Sequence, residues 1–268
     1  MTQTRHFDDV KRIVVKIGTS SLLHPNGKLN LAAIDQLSYT LSSLNNTDKE
    51  VILVSSGAIG VGMGQFGLTH RPTAIPEQQA LASVGQSQLM TVYQQKFATY
   101  GTKISQVLLT YDVFEYTGSL KNTLNTFQTL LNWKVIPIVN ENDTVAIDEL
   151  GHTTKFGDND QLSALVAAIV DADLLIILSD IDGFFDKNPQ KYPDASLIQT
   201  VNHIDDAVYQ IAGGSGSDFG TGGMYTKLKA AQRMMKHGKK AVLANGSDPK
   251  IILDILAGKQ VGTLFDPN

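Results

Sequence analysis

Six short runs of branched apolar residues recur along the chain, and most are separated by segments whose apolar residues keep helical spacing; this alternation restricts the chain to few folds. The runs cover residues 12–17, 51–54, 104–109, 135–139, 174–178 and 240–244. Their length and near-continuous apolar character predict buried strands. Segments 31–44, 77–100, 120–131, 161–170 and 225–235 predict helices. Strands alternating with helices predict an α/β fold, with a parallel sheet covered by helices on both faces. Pro137 falls inside the fourth run, where its missing N–H predicts a bulge or a position near a sheet edge.

Composition removes whole classes of function. At 268 residues, 42% hydrophobic and 18% charged, the chain is long enough for a sizeable core and unlike a disordered tail, a collagen repeat or a polytopic membrane protein. The length alone admits one large α/β domain or two small ones. Twenty-two basic against 26 acidic residues give a net charge of −4, so no basic excess points to nucleic acid or to an anionic membrane. An anionic ligand would have to be met by locally placed cations and backbone amides. With no cysteine, disulfides, thiolate nucleophiles, iron–sulfur clusters and zinc ribbons are excluded. The N-terminal stretch MTQTRHFDDVKRIVVKIG has charges throughout and no apolar stretch of signal-peptide length, which predicts a cytoplasmic protein.

Ligands of open α/β sheets bind beyond the carboxyl ends of the strands. Four predicted strands end in small, polar or glycine residues: Gly18-Thr19-Ser20, Ser55-Ser56-Gly57-Ala58, Asn140-Glu141-Asn142-Asp143 and Ser179-Asp180. Strands commonly end in turn formers, but four such ends together predict a shared nucleotide- or phosphate-binding site. The glycines are also uneven, with five in 57–67 and six in 213–223. Gly62-x-Gly64-x-x-Gly67 matches the dinucleotide fingerprint in letters only. It does not turn directly out of its strand, and no acidic residue closes a following strand. A Rossmann dehydrogenase is disfavoured, and the glycines predict backbone that approaches a small ligand closely, or simply surface-loop positions.

Two lysines stand in unusual places. Lys16 lies within the first apolar run, where a snorkelling side chain is the plain reading. A buried ammonium needs a counter-anion, which a ligand phosphate would supply, with amides around Gly18 assisting. Lys227 stands in the predicted first turn of the helix that follows Thr221-Gly222-Gly223-Met224. A cation there opposes the helix dipole unless an anion is present, although a capping Thr221 with hinge glycines would explain the loop alone. No Walker A sequence occurs, so a P-loop fold is not expected. Residues 140–160 hold six acidic residues and one basic residue, and predict a polar loop or hairpin. It ends in Gly157-Asp158-Asn159-Asp160, which could cap a helix, orient lysines or hold Mg²⁺ through water. The six histidines show no ligand spacing.

Together VVKIGTS, VSSGAIGVG, NENDTVA, KFGDND and GTGGMYTK resemble, in that order, the glutamate 5-kinase branch of the amino acid kinase family, from about residue 10 to 265. The resemblance implies a three-layer αβα sandwich around a mainly parallel sheet. It also implies phosphoryl transfer from ATP, as its Mg²⁺ complex, to the side-chain carboxylate of L-glutamate, opening proline synthesis. It places Lys16 and Lys227 at the transferred group with Asp160 positioning them. Ser56, Asp143 and Asn159 match glutamate-binding positions; Gly18, Ser179, Asp180, Thr221, Gly222, Gly223 and Met224, with the two lysines, match positions that hold ATP. No residue is assigned as a direct metal ligand. One kinase domain over 1–268 is implied, mainly glutamate-binding before about residue 170 and mainly ATP-binding after it, in the short form without the C-terminal PUA domain. A homo-oligomer, dimer or tetramer, and feedback inhibition by L-proline are further family expectations. Asn188 departs from the pattern, since the family commonly has Asp before that proline.

The chemistry fits this charge pattern. A carboxylate and a phosphate at ~4 Å repel by roughly 4 kcal/mol per charge pair at an effective dielectric of about 20, so cations must intervene. An ionised carboxylate needs no general base, which agrees with the absence of a catalytic His or Cys motif. Alternatives are a related kinase acting on N-acetylglutamate or aspartate, and a non-catalytic nucleotide or amino-acid sensor on the same fold.

Overall fold

Strand β1 (Arg12–Ile17) shows how the sheet is covered. Ile13, Val15 and Ile17 belong to one hydrophobic core and Val14 to another, as a period of two demands of a strand buried on both faces. The structure is a computed structural model that describes residues 5–146, 158–213 and 223–268.

After β1 come a single helical turn, α1 (Thr19–Leu22), then α2 (Leu31–Asn45), β2 (Glu50–Ser55), α3 (Ala58–Gln65), α4 (Ile75–Thr99) and β3 (Ile104–Leu109). A 3-10 turn (Tyr111–Phe114) precedes α5 (Thr117–Asn132), β4 (Ile136–Glu141), α6 (Asn159–Ile169), β5 (Leu174–Ser179) and β6 (Thr200–Val201). The chain ends in α7 (Asp206–Ile211), α8 (Gly223–Lys236), β7 (Lys240–Asn245), α9 (Ile251–Leu256) and β8 (Thr263–Phe265). Among the described residues the sheet has eight strands in the order β3-β4-β2-β1-β5-β7-β8-β6. Its pairings are parallel except β7 with β8.

One face packs Val14, Ile52, Val54 and Ile177 against Phe127 of α5, Leu162 and Val166 of α6, and Leu228 and Met234 of α8. The other packs Ile13, Val15, Leu53 and Ile176 against Leu37 and Leu41 of α2, Tyr93 and Phe97 of α4, and Ile255 of α9. This is the αβα sandwich with a mainly parallel sheet that the pattern and the resemblance imply. The six predicted strands and five predicted helices all form, most with ends shifted by one to three residues. Pro137 is accommodated one strand in from the edge. Ile136 donates its N–H to Lys103 of the β3 side; since successive residues of a strand face opposite neighbours, the proline faces β2. There the paired residues are confined to Leu53 with Ile138 and Val54 with Val139.

Helix α3 escapes a sequence reading because three of its eight residues are glycines, poor helix formers that resemble loop. Gly62 among them is required by helix packing. A Cβ on Gly62 would lie 2.1 Å from the Leu81 carbonyl oxygen, and one on Gly85 of α4 would lie 1.8 Å from that of Ala58. The two helices therefore cross backbone against backbone. Gly57, at φ +100°, adopts a left-handed conformation at the start of α3. Gly85→Ala should destabilise the protein by about 2 kcal/mol or more through overpacking, read as a fall in the urea midpoint at unchanged m-value; an unchanged midpoint would refute the close crossing.

Candidate active site

Strands β4, β2, β1 and β5 are consecutive in the sheet, so the four strand ends singled out by sequence lie side by side at one edge. Lys16 shares the parity of Val14 and so emerges on the α6 and α8 side of β1. The N-termini of α6 and α8 meet it there. Asp158 caps α6, its Oδ1 accepting the Asp160 N–H at 2.9 Å. That turn places the Asp160 carboxylate at the positive end of the helix dipole.

Asp160 is fully buried and holds both lysines. Lys16 Nζ lies 2.6 Å from its Oδ1 and Lys227 Nζ 3.1 Å from its Oδ2, with side-chain exposures of 7% and 11%. The counter-anion of Lys16 is thus Asp160, a protein group, where the apolar context of Lys16 alone suggested a ligand phosphate. Lys227 also donates to the Gly223 carbonyl oxygen at 3.0 Å. The Thr226 hydroxyl lies 2.7 Å from Asp158 Oδ2 and 3.0 Å from Asp160 Oδ2, joining the starts of the two helices. Burial alone would raise the Asp160 pKa; Lys16 and Lys227 outweigh it and hold the carboxyl below its usual range. Two ammonium groups on one carboxylate leave a positive charge for an incoming anion.

A second cluster adjoins the first. Asn159 Nδ2 lies 2.8–2.9 Å from three acceptors, the Ser55 carbonyl oxygen, Ser56 Oγ and Asn140 Oδ1, which share its two hydrogens. Asn140 Nδ2 in turn donates to Gln86 Oε1 of α4 at 2.9 Å. Ser55 Oγ shares a hydrogen bond with the buried Tyr93 hydroxyl, whose pKa is raised, chiefly by burial.

Two cavities open on opposite sides of β1. One, of about 570 Å³, is lined by Ser179, Asp180, Asn188, Gly223, Met224 and Lys227 among others. The other, of about 290 Å³, is lined by Ala58, Gln86, Glu141, Asn142 and Asp143 among others. The structure thus brings Ser179, Asp180, Gly223, Met224 and Lys227 to one cavity, gathers Lys16, Asp160 and Lys227 beside it, and joins Ser56 to Asn159. Gly18 lies against this group, since a Cβ there would be 3.7 Å from Lys16 Nζ. Asp143 lines the smaller cavity, whose lining includes neither Ser56 nor Asn159. Thr221 and Gly222 lie outside the described residues, as does 147–157, most of the predicted polar loop. Asn188 Oδ1 accepts the Gln190 N–H at 2.8 Å, a turn-capping bond an aspartate could also make.

Sequence reasoning left Gln86, Asn140 and Thr226 without roles. Asn140 and Thr226 sit inside quoted motifs and could have been found there; Gln86 carries no local signal. Among the described residues no group of three or more His, Asp or Glu is placed to hold a metal ion, and no helix is long and apolar enough to cross a membrane.

A sequence model of the amino acid kinase family matches residues 11–245. A glutamate 5-kinase of Ligilactobacillus salivarius is 65% identical over 98% of this chain and 98% of its own length. One of Enterococcus faecalis is 61% identical over 95% of this chain and 94% of its own. Among solved structures, isopentenyl phosphate kinase from T. acidophilum superposes with a TM-score of 0.66 at 18% identity, covering 95% of this chain and all of that one. UMP kinase from Bacillus anthracis does so with a TM-score of 0.65 at 14% identity over 97% of each chain. At such identities these two similarities concern the fold. The chain belongs to the amino acid kinase family.

Because folding lowers the Asp160 pKa, its ionisation adds stability above the unfolded-chain value of about 3.9, and that contribution is lost as pH falls through the lower folded value. Urea unfolding from about pH 5 to pH 2 should show stability falling more steeply in the wild type than in Asp160→Asn. Parallel acid limbs would contradict the assignment.

Proposed function

We propose that the chain transfers the terminal phosphoryl group of ATP to the side-chain carboxylate of L-glutamate, yielding L-glutamyl 5-phosphate and ADP, the first step of proline biosynthesis. The observation that carries this reading is the buried Asp160 carboxylate holding Lys16 and Lys227 at the carboxyl edge of the sheet, with Lys227 lining the larger cavity. The choice of glutamate is supported by curated relatives that bear the glutamate 5-kinase name at 55–65% identity over 95–98% of this chain; N-acetylglutamate and aspartate are disfavoured on the same ground.

In this mechanism the larger cavity takes the nucleotide and the smaller one glutamate. A glutamate side-chain oxygen attacks the terminal phosphorus in line, the bond from that phosphorus to the bridging oxygen breaks, and ADP departs with the electron pair. No proton moves, because the nucleophile is already ionised. Lys16 and Lys227 neutralise charge on the transferring group, and Asp160 holds both ammonium groups in place before substrate arrives. Such preorganised charge is what phosphoryl transfer requires of a protein. Asp158 and Asp160 are committed to Thr226, the α6 amide and the lysines. We therefore assign Mg²⁺ to the nucleotide phosphates, where that ion usually keeps several waters, rather than to a protein cage.

Glutamate-dependent ADP release, with hydroxylamine trapping of the acyl phosphate, tests the reaction; a chain that releases no ADP with glutamate overturns it. Lys16→Ala and Lys227→Ala should each lower kcat by about 10² to 10³, and a fall of less than about tenfold would remove the role assigned here. Asp143, placed to meet the glutamate ammonium, gives a separate test. Asp143→Ala should raise the glutamate KM and leave the ATP KM unchanged, whereas an unchanged glutamate KM removes that contact.

A further inference from the structure

The turn Asn188-Pro189-Gln190 forms part of the wall of the larger cavity, and backbone groups fix how Asn188 sits in it. Its carbonyl oxygen accepts the N–H groups of Lys191 and Tyr192 at 3.1 and 2.9 Å. Its side-chain Oδ1 accepts the Gln190 N–H at 2.8 Å. A backbone N–H can only donate, so the oxygen end of the amide is turned to the chain and Nδ2 is turned away from it. Asn188 is nearly buried, at 9% exposure, yet Nδ2 is not sealed from solvent and has no hydrogen-bond partner among the described residues. What stays open of this side chain is its lining of the cavity, which therefore meets a donor whose orientation is set. Asp180 and Asp182 line the same cavity and offer only acceptors, one oxygen of each engaged by Ser179 and Asn245. Gln190 is exposed and can turn either end of its amide.

The rest of the inference depends on the reading that this cavity takes the nucleotide. Among the described residues Lys227 is the one cation in its lining, so the phosphates belong at the start of α8. Away from it the wall carries Asp180 and Asp182, which repel phosphate and suit ribose hydroxyls, and the apolar Ile181, Phe185 and Pro189, which suit a flat base. Asn188 belongs to this second part. We infer that Asn188 is a specificity-determining residue, and that by turning a donor to the base it admits 6-oxopurine triphosphates beside ATP as phosphoryl donors. The Nδ2 group matches a carbonyl oxygen at the 6-position of the base and gives the 6-amino group of adenine no acceptor. An aspartate there would keep the oxygen that caps the turn and present a second oxygen, reversing the preference. With inosine triphosphate (ITP) the reaction is otherwise unchanged: the glutamate side-chain oxygen attacks the terminal phosphorus, the bond to the bridging oxygen breaks, and the inosine diphosphate departs with the electron pair.

Initial rates with ATP and with ITP, both read as the glutamyl hydroxamate trapped by hydroxylamine, test this. The two nucleotides carry the same phosphates, so their ratio cancels any general effect of charge. The wild type is measured first. No hydroxamate with ATP would remove the reaction itself, whereas turnover of ATP with a kcat/KM for ITP more than about tenfold lower, the factor for one mismatched hydrogen bond, overturns this inference and leaves the reaction standing. Asn188→Asp should lower the ITP-to-ATP ratio by about tenfold or more; a smaller change overturns the inference. A merely structural role would lower Tm and both rates together without altering the ratio. Should that variant fail to fold, Asn188→Ser decides in its place, since its hydroxyl can still cap the turn while the amide nitrogen is gone: a reduced ratio supports the inference and an unchanged ratio overturns it.

Discussion

One buried carboxylate sets the design of this site. Asp160, with no exposure, binds two ammonium groups that come from different parts of the chain, Lys16 from the first strand and Lys227 from the eighth helix. None of the three is stable alone where it sits, because an unpaired buried charge costs several kcal/mol. Together they leave positive charge at the edge of the sheet. The fold answers to this need: β1 is central, α6 and α8 pack on the same face, and their N-termini converge where the parity of β1 delivers Lys16.

The cluster is supported on both sides. Toward the larger cavity, Thr226 joins Asp158 to Asp160 and so ties the start of α8 to the start of α6. Toward the smaller cavity, Asn159 anchors the same turn of α6 to the ends of β2 and β4. The turn Asp158-Asn159-Asp160 therefore faces three ways: a cap and tether, a link to the proposed glutamate side, and the ion-pair centre. This explains why a short acidic motif after a polar stretch has consequences beyond helix capping.

Much of this was legible in the sequence. The six strands and the parallel topology follow from continuous apolar runs alternating with helical spacing, which is a strong signal because parallel strands are buried on both faces. Lys16 and Lys227 were conspicuous because each violates a local rule, one by lying within an apolar run and the other by opposing a helix dipole. What escaped lacked such a violation. The glycines of helix α3 answer to tertiary neighbours, Gly62 to the α4 backbone, Gly60 to Leu23 and Gly64 to Gly27, reasons that local propensity cannot register. Gln86 is an ordinary helical residue until folding brings it to Asn140, 54 positions away. The partner of Lys16 was likewise non-local: the acidic motif at 158–160 could be read as orienting lysines, and the resemblance singled out Asp160 for that role.

The central claim is that Asp160 holds Lys16 and Lys227 ready for a phosphoryl group in transit between two cavities. A crystal structure with L-glutamate and a non-hydrolysable ATP analogue tests this most directly. The account predicts the analogue's terminal phosphate within about 3 Å of both lysine Nζ atoms, a hydrogen-bonding distance, with the glutamate side-chain carboxylate facing it from the smaller cavity. A terminal phosphate out of reach of both lysines would contradict it.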